Sequence, residues 1–313
     1  MITFLSGGTG TPKIIQGFRE IIQDNQICII ANSADDIEIY GLYVSPDIDT
    51  IIYLLSKILD TEKYWGIKGD TFYTLNSLNR LGYETWFQIG DKDFSTHIFR
   101  TEQLKMGKSI SEITEQISQN LGIKTQVYPS SDTHIETRII TRDGKDIHFQ
   151  EFWVKEKGEV EIKDVYIKNI QNAKTPKKAL YNIDKSEIII IGPSNPITSI
   201  EPIINLNQIK RKLLKNRNRV IAISPIIGQA PISGPTALLM KAKNLEVTPL
   251  EIAKMYQDFC STIIIDKTDY EFVEIIESET SMKVQLADIL FKDITKAKNL
   301  ATMILNQVTS DED

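Results

Sequence analysis

At 313 residues the chain is long enough for a large α/β domain, or for a core carrying an insertion. It is 41% hydrophobic and 25% charged, an ordinary globular composition, with a formal net charge of −6. That charge argues against a general nucleic-acid binder, and no stretch approaches the ~18 uninterrupted apolar residues of a membrane span. The N-terminus opens inside a strand with no signal-peptide layout, and Cys28 and Cys260 lie in apolar surroundings. These features predict a cytoplasmic protein without a disulfide or a structural zinc.

Taken in chain order, short runs rich in Ile and Val mark strands at Ile2–Leu5, Ile27–Ala31, Glu187–Ile191, Val220–Ser224 and Thr262–Asp266. Each is followed by Gly, Pro, Ser or Asp and then by a helical period. Continuous apolar strands alternating with helices point to a three-layer, Rossmann-like, mostly parallel sheet covered on both faces. Thr11 and Pro12 read as N-cap and first residue of the first helix. Asp49 falls in the first turn of the next. The middle of the chain differs. Helices are expected over 70–81, 93–105 and 109–121, then alternating segments over 133–142 and 145–154 joined by the hairpin signal Asp143-Gly144. Residues 64–173 therefore read as a mixed α+β insertion that covers the C-terminal strand ends and the substrate. Residues 1–63 and 174–308 form the nucleotide-binding core, and 309–313 a flexible tail.

In an open parallel sheet, ligands bind beyond the carboxyl ends of the strands. The loop Ser6–Lys13 holds Gly7, Gly8, Thr9 and Gly10, whose backbone N–H groups suit a phosphate, with Lys13 one turn in. It is neither a Walker A loop nor a Gly-x-Gly-x-x-Gly fingerprint. Asp35, Asp36, Asp47 and Asp49 are four carboxylates within fifteen residues. One carboxylate from each loop would match the sparse, partly hydrated shell that Mg²⁺ prefers. The same residues also serve as ordinary turn and cap residues. Gly90-Asp91-Lys92-Asp93, Ser95-Thr96-His97 and Arg100 form a polar turn and helix start, with His97 free to contact a substrate phosphate or hydroxyl. His148 to Trp153 alternates polar and aromatic residues as a strand would, and Trp65 and Trp86 are further candidates for stacking on a flat ring. The loop Gly192–Ile200, with Ser194, Asn195 and Thr198 between two prolines, suits recognition of a nucleotide base or phosphate.

In combination these segments are highly specific. Ser-Gly-Gly-Thr-Gly-Thr-Pro-Lys at 6–13, Pro-Asp-Ile-Asp-Thr at 46–50, Trp-Gly-Ile at 65–67, Gly-Asp-Lys-Asp at 90–93, His-Phe-Gln-Glu-Phe-Trp at 148–153 and Gly-Pro-Ser-Asn-Pro-Ile-Thr-Ser-Ile at 192–200 follow one another in order. The chain resembles the 2-phospho-L-lactate transferase family of coenzyme F-420 biosynthesis over nearly its whole length. The resemblance implies transfer of a phospholactyl group from lactyl-2-diphospho-5′-guanosine to the deazaflavin Fo (7,8-didemethyl-8-hydroxy-5-deazariboflavin), giving coenzyme F-420-0 and GMP. Some relatives use a phosphoenolpyruvyl or phosphoglyceryl donor instead. It also implies Mg²⁺ and a homodimer, with no nucleic-acid or membrane partner. Carried onto this chain, Asp35 and Asp49 become the catalytic and metal-binding candidates. Asp49, Gln88, His97 and Trp65 become the Fo contacts, and the Gly7–Lys13 and Ser194–Thr198 loops hold the nucleotide. Lys92 stands where the family's turn commonly has arginine, and a lysine contacts phosphate only as a point charge.

Two other readings are distinguishable. A gluconeogenesis-factor-like regulator that binds a nucleotide sugar without turnover shares the glycine-rich start, but not the Pro-Asp-Ile-Asp-Thr helix start or the His148–Trp153 pattern. A nicotinamide dehydrogenase would need a third glycine and an acidic residue at the end of the second strand, where this chain has Ala31-Asn32.

Overall fold

The computed structural model describes residues 1–310; of the expected tail 309–313, Thr309 and Ser310 close the last helix, and residues 311–313 lie outside the described residues. The centre is a seven-stranded sheet in which every pairing is parallel. Its strands, numbered along the chain, are β1 (Ile2–Ser6), β2 (Ile27–Ala31), β3 (Gln126–Pro129), β4 (Ile188–Ile191), β5 (Val220–Ile223), β6 (Thr262–Asp266) and β7 (Lys283–Ala287). Their order is β7-β6-β5-β4-β1-β2-β3. Successive strands move outward in opposite directions from the β1/β4 pair, which makes that crevice the topological switch point where ligands gather.

Alternation along the strands sends side chains to both faces, and both are covered. Ile2, Phe4, Ile188, Ile190 and Ile264 pack with helix α1 (Gly10–Arg19) and the final helix Ile294–Ser310. Leu5, Ile30, Ile189, Ile191 and Ile263 face the helices Lys177–Lys185, Asn207–Lys215 and Pro249–Tyr256. Burial on both faces is why these strands read as unbroken apolar runs. Among the described residues no helix is long and apolar enough to cross a membrane.

The span 64–173 supplies more than a cover. Its strand β3 pairs with β2 and becomes an edge of the central sheet. Before it come α3 (Tyr73–Arg80), α4 (Asp93–Lys105) and α5 (Ile110–Asn120). Helix α3 starts later than expected because Asp70 and Thr71 act as turn residues. Asp70 accepts from the backbone N–H groups of Lys92 and Asp93, and Asp91 accepts from those of Tyr73 and Thr74, so each turn caps the other's helix. Helix α5 carries the expected capping box, Ser109 with Glu112. After β3 comes a three-stranded antiparallel sheet of Glu136–Thr141, Asp146–His148 and Ile162–Lys168. The strand expected to run to Val154 ends at His148. Residues Glu151–Lys155 instead wind a π-helical turn, in which Phe152 is driven into the core.

Candidate functional site

The loops after β1, β2 and β4 are tied together at the switch point. Ser194 Oγ donates to the Gly7 carbonyl and lies 2.7 Å from Thr11 Oγ1. A Cβ on Gly10 would penetrate the Pro193 carbonyl, so only glycine permits this backbone approach. Asn32 Nδ2 donates to Asp47 Oδ2 at 3.0 Å and to the Thr198 carbonyl at 3.2 Å, and Gly8 N–H donates to Asp47 Oδ1 at 2.9 Å. Helix α1 begins at Gly10 with Thr9 at its N-cap position, so Thr11 and Pro12 lie inside the first turn. The Thr11 hydroxyl bonds Ser194 instead of capping, which corrects the expected N-cap.

This geometry gives the expected nucleotide loop internal partners of its own. Asn195 Oδ1 accepts from the N–H groups of Ile197 and Thr198, and Thr198 is buried. The Ser194 hydroxyl and the Asn195 carbonyl oxygen thus join and cap the loops, while Asn195 Nδ2 is buried without a partner. Lys13 Nζ lies 4.7 Å over the Tyr64 ring. What these loops offer a phosphate is chiefly the backbone of Gly7 to Gly10 at the start of a ten-residue helix.

The second half of the site is a cavity of about 300 Å³. Asp49 and Tyr53 reach it from helix α2 (Pro46–Leu55), and Asp93 and His97 from α4. Trp65, Phe87 and Gln88 come from the connecting loops, and Gln150, Trp153 and Val154 from the segment that turns into the π-helix. All four expected Fo contacts, Asp49, Gln88, His97 and Trp65, therefore line one cavity. Trp65 and Trp153 are 41% and 39% exposed, as rings that face a cleft would be.

Behind the cavity wall runs a buried polar network. Arg100 Nη1 donates to Asp49 Oδ2 at 3.0 Å, and Arg100 Nη2 pairs with Asp49 Oδ1. His97 Nδ1 lies 3.3 Å from Arg100 Nη1, and His97 Nε2 lies 3.2 Å from Asp93 Oδ1. Tyr53 donates its hydroxyl to Asp93. Burial alone would raise the Asp93 pKa, but the His97 and Tyr53 bonds hold it below the usual carboxylate value. Burial would lower the Arg100 pKa, yet the Asp49 charge lifts it above its ordinary value, so the guanidinium stays charged.

The remaining carboxylates are strained electrostatically. Burial, reinforced by the Asp47 charge, pushes Asp35 well above the carboxylate range. Burial pushes Asp47 up to about 6, and it pushes Asp36 well up despite the Arg100 charge. Asp35 Oδ1 and Asp36 Oδ1 are buried without a partner. Asp35 lies beside Asp47 outside the lining of the cavity, so the two expected catalytic carboxylates face different neighbours. Among the described residues no three Asp, Glu, His or Cys converge as a ready-made metal cage.

Sequence reasoning left Arg100 without a role and passed over Tyr53, Gln150 and Val154. Spacing carried part of the signal, because Asp93, His97 and Arg100 at i, i+4 and i+7 share one helix face.

The family model described as 2-phospho-L-lactate transferase CofD matches residues 2–306. A 2-phospho-L-lactate transferase of Methanocaldococcus jannaschii is 42% identical over 303 residues, 96% of this chain and 97% of that protein. One of Methanosarcina mazei is 40% identical over 305 residues, 97% of this chain and 99% of its own length. A crystal structure of a UPF0052 family member from Bacillus halodurans shares the fold, with a TM-score of 0.66 at 16% identity, covering 97% of this chain and 98% of the other. With a family match across almost the whole chain, the protein belongs to the 2-phospho-L-lactate transferase family.

Proposed function

We propose that the protein transfers the 2-phospholactyl group of lactyl-2-diphospho-5′-guanosine, or its phosphoenolpyruvyl or phosphoglyceryl counterpart, to Fo. The products are coenzyme F-420-0, or its counterpart, and GMP. The observation that carries this reading is the convergence of Asp49, Gln88, His97 and Trp65 on one cavity, in a chain of this family. Its tryptophans suit a flat deazaflavin, and Asp49 sits two residues from Asp47, which bonds the glycine-rich loop. The acceptor and the phosphates thereby meet at the N-terminal turn of α2.

The terminal ribityl hydroxyl of Fo attacks the phosphorus that bears the lactyl ester. A P–O bond forms to Fo, and the P–O bond to GMP breaks. Asp49 takes the hydroxyl proton or orients the hydroxyl, and the backbone N–H groups of Gly7, Thr9 and Gly10 stabilise phosphate charge. No covalent enzyme intermediate is required.

Asp35 and Asp49 are the residues that would hold a Mg²⁺. Asp35 has an unpartnered buried oxygen, and the Asp47 charge disfavours ionisation of Asp35 unless a cation lies near. With two carboxylates only, substrate phosphate and water would complete the shell. When bound, the ion would neutralise phosphate charge. Asp49 accepts from Arg100 at both oxygens, and each carboxylate oxygen keeps a second lone pair for a cation. The enzyme works in this reading as a cytoplasmic homodimer, with residues 64–173 covering the acceptor. Replacing Asp49 by Asn, which keeps an acceptor for the buried Arg100, tests the mechanism. The expected result is lost turnover with the fold intact, and near-normal turnover removes Asp49 from the reaction.

A further inference from the structure

Among the described residues Arg100 is the largest fully buried side chain, with no exposed surface. Burying a guanidinium costs several kcal/mol unless it is paired, and a buried pair rarely stabilises more than apolar residues of the same volume. Stability alone is therefore a poor reason for an arginine here. Its contacts give a better one. The planar fork spans both oxygens of Asp49, and the same Nη1 lies against His97 Nδ1. Asp49 and His97 line the cavity, and Arg100 does not.

The two helices meet through a ladder. On α2, Asp49 and Tyr53 are four residues apart; on α4, Asp93, His97 and Arg100 share a face. One rung is Asp49–Arg100 and the other is Tyr53–Asp93, with His97 between them. Rotation of either helix, or of the Asp49 side chain, breaks a charge-assisted bond in a dry environment, which fixes the direction each cavity-facing group presents.

We propose that Arg100 is a positioning residue that acts through Asp49 and His97 to pre-orient them as one unit for the acceptor substrate. This rests on the cavity being the Fo site. A single point charge behind Asp49 does not suffice, because a lysine ammonium spans one oxygen at a time and leaves His97 free to turn.

The test uses equilibrium Fo binding, read from the deazaflavin's own fluorescence without donor or metal, together with KM for Fo and for the donor. Arg100→Lys keeps the charge and loses the fork, and Arg100→Gln serves as a second variant should the lysine form fold poorly. The expected result is at least a tenfold loss of Fo affinity, with the donor KM within twofold of wild type. Asp49→Asn combined with Arg100→Lys loses less Fo affinity than the product of the two single effects, because the two residues share a contact. Unchanged Fo affinity in Arg100→Lys overturns the proposal. So do equal losses for Fo and donor, which mark a merely structural role, and so does a double variant that loses the product of the two single effects. Wild-type protein that binds no Fo refutes the assignment of the cavity itself, an outcome distinct from wild-type binding that is indifferent to Arg100.

Discussion

His148 makes the stability of the site region depend on pH in a direction the structure fixes. Its ring is only 7% exposed. Nε2 bonds the Asp36 carbonyl at 3.2 Å, and Nδ1 accepts from the Gln150 N–H at 3.0 Å. Such a ring is neutral with its proton on Nε2, and a second proton at Nδ1 would face a donor. Burial accordingly pushes its pKa from 6.5 down to about 4. A depressed histidine pKa means that the unfolded chain binds the proton more tightly. The stabilising contribution is full above pH 6.5 and is lost as the pH falls towards 4. The full span of this shift corresponds to about 3 kcal/mol, of which about 2 kcal/mol is lost between pH 7.5 and pH 5. Asp35, Asp36 and Asp47, with raised pKa values, bias stability the opposite way, so the wild type alone does not isolate the effect. The comparison is with His148→Gln, unfolded in urea at each pH. The difference between the two proteins shifts by about 2 kcal/mol against the wild type on going to pH 5. Parallel pH dependence of the two would refute the neutral, buried assignment of this ring.

Other perturbations have equally definite outcomes. Gly10→Ala drives a methyl into the Pro193 carbonyl, so it destabilises the fold by about 1–3 kcal/mol in urea titration and weakens donor binding more than Fo binding. Trp153→Leu removes one aromatic wall of the cavity, raising the Fo dissociation constant by about tenfold while leaving the donor KM unchanged. Asp35→Asn weakens Mg²⁺ binding measured by calorimetry; unchanged metal affinity would exclude Asp35 as a ligand.

Much of the core was legible because its physics is local. Five strands lie inside the sheet, covered on both faces, and each shows as a continuous Ile-rich run. The two that were missed are the edges. Gln126–Pro129 is short and ends in proline, and Lys283–Ala287 alternates polar and apolar residues like a solvent-facing segment. The segment from His148 to Trp153 misled in another way. Six residues of alternating polar and aromatic character fit a strand, but the choice was made by Phe152 seeking the core, and the π-helical turn that results aims Trp153 at the cavity. In the site, individual residue types pointed to chemistry, but their partners did not. The Ser194 hydroxyl and the Asn195 carbonyl oxygen join and cap loops, contacts that no residue-type pattern announces. The partner of Asp49, Arg100, lies 51 residues along the chain, a pairing that only the packing of α2 against α4 creates.

The most direct measurement is of turnover. Purified protein is incubated with Fo, Mg²⁺ and each of the three guanylyl donors separately, and product masses are followed by liquid chromatography. A phosphodiester adduct of Fo together with GMP, both lost on chelation, is the predicted result, and the preferred donor identifies the three-carbon acid. Folded protein that yields no adduct with any donor would contradict the transferase assignment and point to a nucleotide-sugar-binding regulator built on the same fold.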